Sequence, residues 1–450
     1  VEAAGAAQAL AFVRVLVEGR TALPHLEAAA ERAGALGDPF LLVDAFANVG
    51  EAHLLLGETT IAAAEFAQCL EVAAAHGDET GEVHGLVGLG GARLVLGRYD
   101  EADETLRPAV QRAGELGESH VRALALARLG ELLRLRGDLA GAERWFSDAG
   151  ALARGSDHPL PLVLALVGLG RLAHEGGDAS AAYSQFESAY RIARSMPLAP
   201  LVAPSLSGMA ATTADPMRAR SLAGESLRVA QRHGDRVGEA LAFELMAQLT
   251  WRRGNRLATA LRHCRALELR AAVGDPAATA GSLEALAILA AARSDLVMSA
   301  RLVGSAAALR VRHGCARSAL AAEEYAATVD FVRLGLGEKA FEAEWRTGAA
   351  LSMQAAVKLA LKSSCQKRPQ RTTRWECLTP TEWRVVELVA EGLTNIQIAH
   401  ALDMAEPTVR SHLRQVFRKV GVQTRSAVAV GFHRQVQSSL SRDDPNPFDE

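Results

Sequence analysis

Residues 130–149 read GELLRLRGDLAGAERWFSDA, and their spacing recurs along most of the chain. Gly130 has counterparts at Gly50, Gly90 and Gly170, and Gly137 at Gly57, Gly97 and Gly177, each set stepping by 40 residues. Ala142 matches Ala62, Ala102 and Ala182, while Phe146 matches Phe66, Leu106 and Phe186. Ala149 and Ala153 have counterparts at Cys69, Ala109 and Ala189 and at Ala73, Ala113 and Ala193. A small residue in one helix facing Ala-x-x-x-Phe in the next suits two helices whose backbones approach closely while one bulky side chain fills the gap. Each unit therefore reads as a helical hairpin.

Gly57-Glu58, Gly97-Arg98, Gly137-Asp138 and Gly177-Asp178 break the hairpins inside, and Gly37-Asp38, Gly77-Asp78 and Gly117-Glu118 break between them. After Pro197 one unit shortens near Ala214-Asp215-Pro216, and the rhythm resumes at Gly234-Asp235, Gly274-Asp275 and His313-Gly314. About eight hairpins result. The pattern resembles tetratricopeptide repeats with lengthened helices, and such stacks present a concave surface. Capture of a protein or small-molecule effector is one reading of the array, and a spacer or oligomerisation scaffold is the other.

From Leu378 the pattern changes. Thr379 before Pro380 suits a helix start, Val385, Val386, Leu388 and Val389 supply an apolar face, and Gly392 stops it. Thr394 or Asn395 can cap a short second helix with Ile398, Ala399 and Leu402 inward, and the chain turns through Asp403-Met404-Ala405. In a third helix Val409, Leu413, Val416 and Val420 bury one face, while Arg410, Arg414 and Arg418, at i, i+4 and i+8, lie on another with Ser411 at the same end. This order predicts a helix-turn-helix, which sets one helix in the major groove of DNA. Between 406 and 436 Arg410, Arg414, Arg418, Lys419, Arg425 and Arg434 face Glu406 alone, a net of +5 and the sign a phosphate surface needs. Thr424 would cap a fourth helix, whose Val428 and Phe432 are candidate dimerisation residues.

From Leu378 to about His433 these residues resemble the LuxR-type DNA-binding domain. The resemblance implies four helices, the third reading DNA and the fourth pairing protomers. By position it puts Arg410, Ser411 and Arg414 at the bases and Thr394, Asn395, Thr408, Arg418, Lys419 and Arg425 near the backbone. Three departures stand out: Ala405 where a Ser cap is common, Pro407 for a polar residue, and an exposed Ile396 where a Lys is usual.

The expected architecture is all-α. Tetratricopeptide-like repeats occupy 1–314, a helical end to the solenoid 315–361, a basic linker 362–374, the helix-turn-helix domain 375–436, and a flexible acidic tail 437–450. A composition that is 49% hydrophobic but only 5% aromatic fits a core of Ala, Leu and Val. The five cysteines show no C-x-x-C or metal-ligand spacing, so neither a zinc site nor a disulfide framework is expected, and a reducing cytoplasm fits. No apolar run approaches the ~18 residues needed to span a bilayer.

Enzyme readings fail on spacing. No G-x-x-x-x-G-K-[ST] occurs, Gly85-Leu-Val-Gly88-Leu-Gly90 belongs to the repeat, and His174-Glu175 does not complete H-E-x-x-H. No catalytic group, cofactor or metal is expected. The repeat register reaches back through Ala22, Leu26 and Ala33 to Val1 without a polar capping unit. The chain is expected either to begin inside a larger protein or to start at a codon read literally as valine. A helical repeat region followed by this kind of C-terminal domain resembles the latter two thirds of large ATP-binding LuxR-family regulators. The expected partners are double-stranded DNA, a second copy on DNA, RNA polymerase, and an effector in the repeat groove. An interaction scaffold with a vestigial DNA-binding domain is the alternative.

Overall fold

The computed structural model describes residues 2–154, 158–196, 198–365, 378–402 and 404–420, together with 422, 424, 425, 427–429 and 432. The chain divides into two compact units, residues 1–366 and 367–450. Every regular element among the described residues is helical.

The first unit runs α1 (Glu2–Glu18), a 3-10 turn (Gly19–Ala22), α2 (Leu23–Ala35), α3 (Pro39–Leu55), α4 (Thr59–His76), α5 (Glu79–Val95) and α6 (Tyr99–Glu115). It continues through α7 (Ser119–Arg136), α8 (Leu139–Ala153), α9 (Leu160–Glu175), α10 (Ala179–Ser195), α11 (Ala199–Thr212), α12 (Pro216–His233) and α13 (Arg236–Trp251). Then come α14 (Arg256–Val273), α15 (Pro276–Ala291), α16 (Leu296–His313), α17 (Ala319–Leu336), α18 (Glu338–Ala349) and α19 (Met353–Cys365). Odd and even members pair from α1–α2 to α15–α16, giving eight hairpins of a tetratricopeptide-like solenoid. The last three helices leave the repeat, α18 packing on α16 and α19 on α14 and α15.

The paired breakers have a two-residue logic. Gly77 takes the left-handed φ of 65° that ends α4, and the adjacent Asp78 accepts the Gly81 backbone N–H at 2.9 Å to start α5. One residue closes a helix and its neighbour opens the next. Asp138, Asp178 and Asp275 cap in the same way. Left-handed residues recur every 20 positions from Gly37 to Gly137, and Ser294, at φ 59°, occupies such a position without being glycine.

The core repeats a steric lock. Phe146 of α8 lies against two glycines, and a Cβ added at Gly130 or Gly168 would stand 2.8 or 2.4 Å from its ring. Phe66 sits likewise between Gly50 and Gly88, and Phe186 between Gly170 and Gly208. The first glycine of each pair carries the 40-residue signal, and the second belongs to the following hairpin, so each ring pins two hairpins together.

Hairpins far apart in sequence also meet at their turns. The Ala316 amide donates to the Leu135 carbonyl at 2.7 Å, His313 Nδ1 lies 3.1 Å from the Gly97 carbonyl, and Arg20 and Arg236 both approach Glu58. Small rotations between successive repeats have accumulated until the array touches itself. Cys69 and Cys315 are buried free thiols. Cys264 is disulfide-bonded, against the expectation from cysteine spacing, because a disulfide depends on the approach of two Cα atoms in space.

The second unit contains α20 (Pro380–Ala390), α21 (Asn395–Ala401) and α22 (Glu406–Val420). The expected linker from 366 onward and the acidic tail lie outside the described residues, as does part of the expected fourth helix. No described helix is long and apolar enough to cross a membrane.

Candidate nucleic-acid interface

Two capping boxes build the frame of the small unit. Thr379 and Glu382 exchange side-chain and backbone hydrogen bonds at the start of α20, and Thr394 and Gln397 do so at the start of α21. Thr394, rather than Asn395, is therefore the cap. Behind these starts Val385, Val386, Leu388 and Val389 pack with Ile398, Ala399, Val409, Leu413, Val416 and Val420 in one core, with Leu402 and Met404 against its edge. The apolar face read from each helix is the face that is buried.

Burying Val409, Leu413, Val416 and Val420 fixes the phase of α22 and turns Thr408, Arg410, Ser411, Arg414 and Arg418 to solvent. Arg410 is held by Glu406 at 2.8 Å across one helical turn, an exposed pair that a phosphate or base can displace. Among the described residues Arg414 and Arg418 make no ion pair. Gln415 shares this exposed surface, and the reading of the sequence passed over it. Its i+4 spacing from Ser411 was the available signal, and a Gln there has the donor and acceptor that adenine N7 and N6 require.

Other residues expected at the DNA backbone have internal partners. Lys419 Nζ lies 2.5 Å from Glu382, which is 1% exposed and also belongs to the first capping box. Burial raises the Glu382 carboxyl, and the Lys419 and Thr379 contacts outweigh that, leaving it below the ordinary carboxylate range. Arg425 donates to Asn395 Oδ1 at 2.8 Å and to the Leu393 carbonyl, which ties the segment after α22 to the start of α21. These contacts brace the helices around α22.

Val428 needs a correction. It is 0% exposed and belongs to the unit's own core, so it is unavailable as the dimer contact the sequence suggested. The ring of Phe432, the other expected dimer residue, meets Trp383 edge to face at 5.6 Å between centroids. Ile396, by contrast, is 73% exposed, as its position implied.

A core-packed short helix, a tight turn and a following helix with a cationic outer face define the helix-turn-helix class of DNA-binding domains. Residues 376–432 match the model of the luxR family of bacterial regulatory proteins, and this part of the chain is a luxR-family domain. A protein of Mycobacterium tuberculosis, provisionally named an HTH-type transcriptional regulator, is 39% identical over 145 residues, covering 32% of this chain and 16% of the relative. The HTH-type transcriptional regulator MalT of Vibrio cholerae is 42% identical over 48 residues, covering 11% of this chain and 5% of MalT. Among solved structures, a Rap protein complexed with competence and sporulation factor is similar at a TM-score of 0.46 and 15% identity, over 56% of this chain and 70% of that chain.

Proposed function

We propose that this chain is a sequence-specific DNA-binding transcription regulator whose helical repeats sense a partner or effector. The observation that carries the reading is the division of α22 into a buried valine–leucine face and an exposed face bearing Arg410, Ser411, Arg414 and Arg418. The guanidinium groups suit guanine O6 and N7 or phosphate oxygens, and Ser411 suits either bases or backbone. Arg410, Ser411 and Arg414 are assigned to base edges, and Thr408 and Arg418 to the backbone. Thr394, Asn395, Lys419 and Arg425 form the flank of the footprint, the last three through side chains that also brace the domain. RNA polymerase and a second copy of the chain are the further partners this role calls for.

A gel shift of the full chain against genomic fragments at physiological salt tests the reading. A discrete set of retained fragments is expected. Uniform weak retardation of every fragment would favour the alternative, an interaction scaffold whose DNA-binding domain is vestigial.

A further inference from the structure

In the early hairpins, arginines at the turns are answered by carboxylates. Arg136, three residues before α8, reaches Asp100 at 2.6 Å and Asp103 at 3.3 Å, the second and fifth residues of α6. Arg253 and Arg293 stand at the same place before α14 and α16. The positions that should answer them hold Met217 and Arg220 in α12, and Leu257 and Ala260 in α14. Neither place holds a carboxylate, and among the described residues neither arginine makes an ion pair.

The same edge carries an unusual row of apolar side chains. Met217, Leu257 and Val297 are the second residues of α12, α14 and α16, 40 residues apart, and are 68%, 59% and 40% exposed. Arg256 lies over the Trp251 ring with its guanidinium 3.6 Å from the centroid, and Arg293 donates to the Arg256 carbonyl at 3.2 Å. Burial, then the nearby Arg293 charge, lowers Arg256 from its ordinary value. Adjacent cations without a counter-ion repel one another, and an anionic partner relieves that repulsion.

We propose that this edge of the repeat unit, with its row of exposed apolar side chains and unanswered arginines, docks an acidic amphipathic segment of a partner protein. Guanidinium forks take carboxylates in two-point hydrogen bonds, while Met217, Leu257 and Val297 need an apolar surface to displace their water. A nucleic-acid backbone supplies the charge but has no apolar counterpart for that row. The inference rests on the reading of the repeats as a partner-binding unit and is independent of DNA binding.

The test is fluorescence anisotropy of the full chain with a labelled 21-residue synthetic peptide carrying Leu on one helical face and Glu on the other. Its control has Gln in place of every Glu. The Glu peptide should bind, more weakly as salt rises, and the Gln peptide should not. Arg253→Glu/Arg256→Glu/Arg293→Glu should weaken binding at least tenfold, and Met217→Ser/Leu257→Ser at least threefold, with thermal unfolding unchanged. Arg191→Glu/Arg194→Glu, on exposed arginines of α10, should leave it as it was. Equal binding of the two peptides, or undiminished binding by both edge variants, overturns the proposal. So does a triple variant that keeps the peptide but loses non-specific duplex DNA or anionic vesicles. Fragment selectivity in the gel shift reports separately on the DNA-binding reading.

Discussion

Arginines inside the repeat unit and those on α22 of the helix-turn-helix unit are used in opposite ways. Inside the solenoid, Arg128 of α7 reaches back to Glu51 of α3 at 2.7 Å and to the Val87 carbonyl of α5, and Arg134 joins Glu131 and Glu175 at 2.8 Å. Arg310 and Arg317 share Glu284 in the same manner. On α22, Arg414 and Arg418 are exposed, and among the described residues Arg410 pairs only with a neighbour on its own helix. The difference teaches that the availability of a carboxylate, rather than the arginine itself, separates a structural strut from a contact kept for a partner.

That contrast can be broken by experiment, and the largest effect is expected in the solenoid. Phe146→Ala empties the lock between Gly130 and Gly168 and should cost about 3–5 kcal/mol in chemical denaturation, with the specificity of DNA binding retained. Lys419→Ala leaves the buried Glu382 without its cation and should destabilise the small unit by roughly 2–3 kcal/mol. A flatter salt dependence of DNA binding with no loss of stability would instead make Lys419 a phosphate contact. Arg414→Ala should show the converse, relaxing base preference by about 1–3 kcal/mol while the thermal midpoint stays in place.

A smaller effect depends on pH. Burial, with the charges of His158, His84 and Arg128 adding to it, pushes the His120 imidazole down to about 4. The unfolded imidazole takes its proton near 6.5, so the unfolded state binds more protons between these values and stability falls as the pH drops through that window. The loss should be on the order of 1–2 kcal/mol, since partial exposure reduces the full shift, and His120→Gln should remove it from urea titrations run at successive pH values. Smallest is Ser294→Gly, which relieves a left-handed backbone angle and should stabilise the repeat unit by about 0.5–1 kcal/mol. An unchanged or lowered midpoint would mean that the serine side chain compensates for its backbone.

Much of the candidate interface was legible because an amphipathic helix declares its own phase. Val409, Leu413, Val416 and Val420 are buried where their spacing put them, and that alone turns Arg410, Arg414 and Arg418 outward. Val428 was misjudged and the internal partner of Lys419 was missed for a single reason. A charge or a valine near a motif carries no mark of which neighbour it meets, and here Lys419 meets a carboxylate 37 residues away while Val428 fills the core. The second glycine of each lock was present in the sequence too, at Gly88, Gly168 and Gly208. It reads as part of a glycine-rich helix until the aromatic ring of the preceding hairpin is placed against it.

By itself the sequence determined the hairpin period, the paired glycine and aspartate at the turns, and the order of helices in the DNA-binding unit. Each of these follows from backbone angles and helical phase, which act within a few residues. Tertiary structure alone decided that Gly97 meets His313, that Leu135 meets Ala316, and that Arg20 and Arg236 converge on Glu58. Those contacts depend on rotations summed over many repeats, and no local stretch of chain encodes such a sum.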